Sequence, residues 1–297
     1  MRIKFLCAIA LIAVATSAQA SNLKKIVAVS RFENKTSWKG QVSLDDGMAD
    51  QLTDALMKSG AFTVLERQTL GDVTAEQDLA GSGRTATSKS AQTGKLVSAQ
   101  ILVKGTVTEF ESSSQGSDSG IGFGGFKIGA KRDEAHVGLI IRLIDTTSGE
   151  VIASERVEGK ATSGGTSFGM NVAGVGFGTS GFSKTPLGKA VQEAIDHCVE
   201  VITSKLEKVP FCASVIKVNG NEMYIGAGAK TGINVGDTFT VYSVGEDLVD
   251  PSTGEKLGSE ETAKGTVKVT KVEDKFCKAQ ADGDLKDIKP GDVVKAH

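Results

Sequence analysis

The stretch SGIGFGGFKIGA at 119–130 decides how the middle of this chain is read. Gly120, Gly122 and Gly125 satisfy the G-x-G-x-x-G spacing that seats a dinucleotide pyrophosphate at a helix N-terminus. That chemistry needs a buried strand before the glycines, a helix after them, and an acidic residue about 20 positions on. Gly120 instead follows the polar run ESSSQGSDS, and FKIGAKRDE after Gly125 has too few apolar residues to seat a helix. A strand period fits better. Ile121 and Phe123, then Phe126, Ile128 and Ala130, alternate with one register shift at Gly124-Gly125. A second run, FGMNVAGVGFGTSG at 168–181, behaves alike: Phe168, Met170 and Val172, then Val175 and Phe177, shift register at Ala173-Gly174. Two readings stay open for both runs. One is a β-hairpin with an apolar face and a glycine face; the other is a glycine-rich loop whose apolar residues pack on a neighbour.

The N-terminus sets the compartment. MRIKFLCAIALIAVATSAQA places Arg2 and Lys4 before an apolar run and ends in Ala18-Gln19-Ala20, the pattern of a signal peptide over 1–20 with a mature chain from Ser21. The run is too short to span a bilayer as a helix. Cys7, preceded by Phe5-Leu6, has no lipoprotein context, so no lipid anchor is expected. The 34 basic residues, less Arg2 and Lys4, leave 32 against 36 acidic ones, a near-neutral balance that argues against a nucleic-acid partner.

Glycine makes up 36 of 297 residues, about 12% against an average near 7%, and 16 of them fall between Gly116 and Gly181, where no proline occurs. Around this region the chain reads as α/β. Strands are expected at 24–32, 62–67, 99–113, 136–146 and 150–159. Ser43 with Asp46 starts a helix whose Leu44, Met48, Leu52, Leu56 and Met57 share a face and which Gly60 stops. A second helix is expected over QTLGDVTAEQDLA. Thr185-Pro186 caps a third, with Leu187, Val191, Ala194, Ile195, Cys198, Ile202 and Leu206 at helical spacing.

Lys208-Val209-Pro210 closes that helix, and the chain changes character there. CASVIKV, EMYIG, DTFTVYSV, GTVKVTKV and FCKAQA are five short strand candidates separated by turn residues, the spacing of a small all-β barrel or sandwich over 208–297. Export leaves Cys198, Cys212 and Cys277. A Cys212–Cys277 bridge within the β-domain is expected, adding ~4 kcal/mol in the chain-entropy model, with separate buried thiols as the alternative.

VAVSRFENKTS, VLERQTL, ILVKGTVTEFESSSQG, VGLIIRLIDTTSGEVIAS and TPLGKAVQEAIDHCVEVI occur in an order that resembles the curli production assembly/transport component (CsgG-like) family over about 25–205. The resemblance implies an α/β domain over 21–207 with two β-hairpins, here at about 111–135 and 160–183, that combine across a ring of subunits into one outer-membrane barrel. Ile121, Phe123, Phe126, Ile128, Phe168, Met170, Val172, Val175 and Phe177 are then candidate membrane-hairpin residues. The loop carrying Trp38 and Lys39 corresponds to the family's pore-narrowing loop, although Trp38 also suits a cover over the first helix. The C-terminal region, with GNEMYIGAGAKTGINVGDTFTVYSV and IKPGDVV, resembles the C-terminal β-domain of periplasmic flagellar T-ring (FlgT-like) proteins and also an SH3-like or barrel unit, in which Gly-Asp turns such as those at 236–237 and 291–292 are common.

Catalysis finds little footing. His197 and Cys198 are adjacent on a helix and diverge by about 100°. The Gly94-Lys95 pair fails as a phosphate loop because Lys89 stands where its first glycine belongs. No cofactor or metal is expected. The reading is a non-enzymatic, exported envelope protein: a ring-forming homo-oligomer handling an exported protein substrate or envelope partner at the outer membrane, with a soluble periplasmic scaffold as the alternative.

Overall fold

The computed structural model describes residues 23–38, 43–85, 90–94, 96–116, 122–123, 126–127, 131–164, 182–252, 254, 256–281 and 288–296. A six-stranded sheet organises the first part. Strands β1 (Lys25–Val29), β3 (Phe62–Leu65), β4 (Ile101–Gly116), β7 (Lys131–Asp145) and β8 (Val151–Gly164) lie in the order β3-β1-β4-β7-β8, and β2 (Glu33–Asn34) pairs with β4. The β1 pairings with β3 and β4 are parallel, while β4–β7 and β7–β8 are antiparallel. Between them β5 (Gly122–Phe123) and β6 (Phe126–Lys127) form a separate two-stranded sheet.

Helices α1 (Leu44–Ser59) and α3 (Pro186–Glu207) cover one face of the large sheet. Each is capped as its sequence requires. The Ser43 hydroxyl accepts from Asp46 N–H and Gly60 closes α1 in the left-handed region at φ 67°, while Thr185 accepts from Gly188 N–H ahead of Pro186. The stripes Leu44, Met48, Leu52, Leu56 and Leu187, Val191, Ala194, Ile195, Cys198, Ile202, Leu206 are buried against Val137, Leu139, Ile141 and Leu143, the alternate residues of β7. Met57 leaves that stripe by one residue, about 100° around the helix, and is 63% exposed. Helix α2 (Leu70–Gly81) follows β3.

The close approach of α3 to the sheet needs a glycine. A Cβ at Gly159 on β8 would collide with the Ala190 carbonyl and come to 2.6 Å from Ala194 N, so the helix backbone rests directly on the strand.

A closed six-stranded barrel follows, in the order β10-β13-β12-β11-β14-β9. Its strands are β9 (Cys212–Asn219), β10 (Glu222–Ile225), β11 (Thr238–Val249), β12 (Lys256–Val272), β13 (Cys277–Ala281) and β14 (Val293–Lys295). The sixth strand, β14, goes beyond the five expected, and β11 and β12 run on past their expected ends into a long arm. Two turns in the barrel repeat one device. In Ile233–Asp237 and again in Ile288–Asp292 the isoleucine is buried, the glycine takes φ 99° or 98°, and the aspartate carboxylate accepts the N–H three residues back, Asn234 at 2.9 Å and Lys289 at 2.8 Å. The barrel is tied to the α/β part: Lys24 N–H donates to Thr231 C=O, Thr63 Oγ1 to Lys230 C=O and Gln100 Nε2 to Cys212 C=O.

The expected Cys212–Cys277 bridge is corrected: Cys198, Cys212 and Cys277 are all free thiols. Cys277 is fully buried in the barrel, opposite Ile225 on β10. Cys212 lies on β9, on the far side of β10 and three residues from the row that joins Val215 to Ile225. Two strand spacings of ~4.8 Å already exceed the Cα separation a disulfide allows. Burial pushes the Cys198 and Cys277 thiols up to about 12.

Two outcomes follow. Gly159→Ala should destabilise by ~1–3 kcal/mol or more, read as a lower urea midpoint. Alkylation of the native protein at pH 8 should modify half-buried Cys212 and spare Cys198 and Cys277 until denaturant is added; peptide mapping that found any of the three bridged would overturn this assignment.

Candidate functional site

The functional candidate lies where β4, β7 and β8 leave the helix layer. The rows Glu111–His136–Lys160 and Ser112–Ala135–Ala161 continue as a three-stranded ribbon, with β4 and β7 paired as far as Gly116–Lys131 and β7 and β8 as far as Arg132–Gly164.

A β-bulge at Thr108 sets the two faces of the ribbon. Val107 and Phe110 both point to the helix side, which strict alternation forbids, and the shift between Val107 and Glu109 turns Glu109 to the open side. Gly138 lies opposite both Glu109 and Glu158, and a Cβ there would come 3.0 Å from Thr108 Oγ1 and 3.2 Å from Glu109 Cβ. The missing side chain makes room for an ionic network. His136 Nδ1 meets Glu109 at 3.0 Å and its Nε2 meets Glu158 at 3.3 Å. Arg156 binds Glu109 and reaches Glu158 at 3.3 Å, and Lys160 pairs with Glu158 at 2.9 Å. Hydrogen bonds from Lys160 and then His136 hold the Glu158 carboxyl down at about 2.

On the other side Trp38 closes the core. Its ring meets Phe110 edge-on at 4.9 Å and 68°, and a cleft of about 680 Å³ opens beside them over Ser112, Ala135 and Ala161. The outer edge of β8 is closed by α3, since Glu193 accepts the Lys160 N–H at 2.7 Å and His197 Nδ1 bonds the Glu158 carbonyl at 2.9 Å.

Trp38 is thus half-buried against Phe110, and Lys39 lies outside the described residues. Phe123 and Phe126 pair across β5 and β6, whereas Ile121, Ile128, Phe168, Met170, Val172, Val175 and Phe177 lie outside the described residues. Strands, not a helix, follow the first glycine run, which removes the dinucleotide fingerprint. Cys198 points into the core while His197 faces β8, so the two do not meet. Among the described residues no cluster of histidine, cysteine and carboxylates could hold a metal ion, and no helix is long and apolar enough to cross a membrane.

Sequence reading missed the ionic network. Its signal is the alternation Arg156, Glu158, Lys160 on one face of β8, which becomes legible once Glu109 and His136 are known to stand opposite. A carboxyl held below its ordinary 4.5 contributes stability that is in place above about pH 4.5 and is lost as the pH falls towards about 2. Glu158→Gln should therefore flatten the loss of stability over that window, measured as thermal midpoint against pH; a profile identical to that of the unmodified protein would remove Glu158 from the network.

Two family models match the chain: curli production assembly/transport component CsgG over residues 10–214, and the C-terminal domain of flagellar assembly protein T over 220–296. None of the curated proteins matches. Among solved structures, the hypothetical protein CT253 from Chlamydia trachomatis is 14% identical with a TM-score of 0.39, covering 62% of this chain and 98% of its own. The PelC dodecamer from Paraburkholderia phytofirmans is 17% identical with a TM-score of 0.29, covering 61% and 87%. Lipoprotein GNA1162 from Neisseria meningitidis is 13% identical with a TM-score of 0.26, covering 59% and 99%. The CsgG match spans the α/β domain and the ribbon that leaves it, and it associates the chain with the cell envelope. The chain belongs to the curli production assembly/transport component CsgG family.

Proposed function

We propose that this protein is a ring-forming subunit of a curli-type assembly or secretion conduit at the outer membrane, and that it does no catalysis. The observation that carries the reading is the continued pairing of β4, β7 and β8 beyond the helices, out to Gly116–Lys131 and Arg132–Gly164. In a family of transport components, a ribbon that leaves its core still fully paired is suited to extend as hairpins and to join those of neighbouring subunits. The segments 111–135 and 160–183 are the hairpins in this reading, and an exported protein is the cargo.

A second reading is a periplasmic scaffold without a pore. It is favoured by the polar arms, where Glu111, Ser112, Ser113 and Glu134 are exposed, and by the C-terminal match to a flagellar assembly protein.

Phe123→Lys with Phe177→Lys separates the two. On the conduit reading a charge at the bilayer midplane costs ~2–4 kcal/mol per site, so the double variant should lose membrane association and conductance in planar bilayers while its circular dichroism stays native. Unmodified protein that stays in buffer without detergent and forms no pores would reverse the order of the two readings.

A further inference from the structure

Helix α2 is ordered with almost nothing of its own chain beneath it. Of its 12 residues only Gln77 is buried, and Val73 and Leu79 are 37% and 40% exposed. Nothing internal to the helix compensates. Thr69 makes no side-chain cap, Gly71 and Gly81 weaken it, and no basic residue stands in the last turn. A helix of this length is marginal in water unless a packed face supports it.

The outward face has a definite chemistry. At 100° per residue Asp72, Ala75, Glu76 and Leu79 share one arc, with Val73 on its flank, and all five are exposed. Two carboxylates are thus set beside an apolar stripe.

A surface of opposite character lies across the sheet. Lys104 on β4 and Arg142 on β7 stand directly opposite one another on the open face, a like-charge pair that is unfavourable by itself. Among the described residues neither forms a salt bridge; Glu33, the carboxylate they influence, is paired to Lys35. On either side of Arg142 along the same face, Ile140 and Ile144 are half-buried. Helix α2 emerges from β3, one edge of the sheet, while this surface belongs to β4 and β7, towards the other edge.

We propose that α2 docks on the open sheet face of a second copy of this chain, with Asp72 and Glu76 meeting Lys104 and Arg142 and with Val73 and Leu79 meeting Ile140 and Ile144. The inference rests on the reading of the protein as a ring subunit and names the contact that builds the ring. The two surfaces differ, so the contact is head-to-tail, and a chain of such contacts closes into a ring when the rotation per subunit permits.

The test uses the full mature chain in detergent and in buffer, with mass read by sedimentation velocity. Asp72→Lys with Glu76→Lys, and separately Lys104→Glu with Arg142→Glu, should each weaken association by roughly tenfold or more, while circular dichroism stays native because these side chains lie on the surface. Mixing the two reversed proteins in equal amounts should restore the large species, because each reversed face then meets a complementary one. Reversed variants that keep the mass of the unmodified oligomer would overturn the α2 contact and leave the ring reading standing. Loss of mass that mixing does not restore would overturn the pairing of these two surfaces. An unmodified chain that is monomeric in both media would overturn the contact and the ring together.

Discussion

The missing side chain at Gly159 is the constraint on which the rest of the α/β domain depends. Because nothing stands between β8 and the backbone of α3 at Ala190 and Ala194, the helix lies directly on the strand instead of riding above it. That closeness puts the buried stripe of α3 on the sheet and also brings Glu193 and His197, four residues apart on the helix, to the outer edge of β8. There they engage the Lys160 N–H and the Glu158 carbonyl, groups that an unguarded edge would offer to any passing strand. The same contact marks the last support that α3 gives the edge of β8: the next row, Ala135–Ala161, still packs on the core, and the pairing continues past it to Arg132–Gly164.

What the sequence revealed follows from how local each determinant is. The stripes and caps of α1 and α3 are contiguous patterns, and Ser43, Gly60, Thr185 and Pro186 act as read. Met57 failed because a single residue's offset turns a side chain out of the stripe. The ionic network depends on a bulge at Thr108 that no period-two pattern reveals, and on partners from three strands whose register is set by pairing. The thiols are similar: the count and spacing of Cys212 and Cys277 allow a bridge, and only the strand order of the barrel, with β10 between them, forbids it. Strand β14 was hidden by its three-residue length, although Ile288–Asp292 repeats the turn at Ile233–Asp237 and so carried a local sign of it.

The polar arms of the two glycine-rich segments look like an objection to any membrane role until the pairing is followed outward. From the row Glu111–His136 to the row Gly116–Lys131 the ribbon advances five residues, or about 17 Å at ~3.4 Å per residue. At the base of this stem one face carries Glu111 and His136, while on the other Ala135 and Ala161 still pack on the domain core beside Trp38 and Phe110. Polar side chains are what such a stem requires if it lifts the hairpins clear of the domain before any bilayer is reached. In the sequence the apolar alternation starts at Ile121 and Phe123, and the paired row Gly122–Lys127 of β5 and β6 keeps one charge within it. The polar run from Glu111 to Gln115 therefore belongs to a paired ribbon and not to a loose loop, so its polarity by itself does not decide between the conduit and the scaffold.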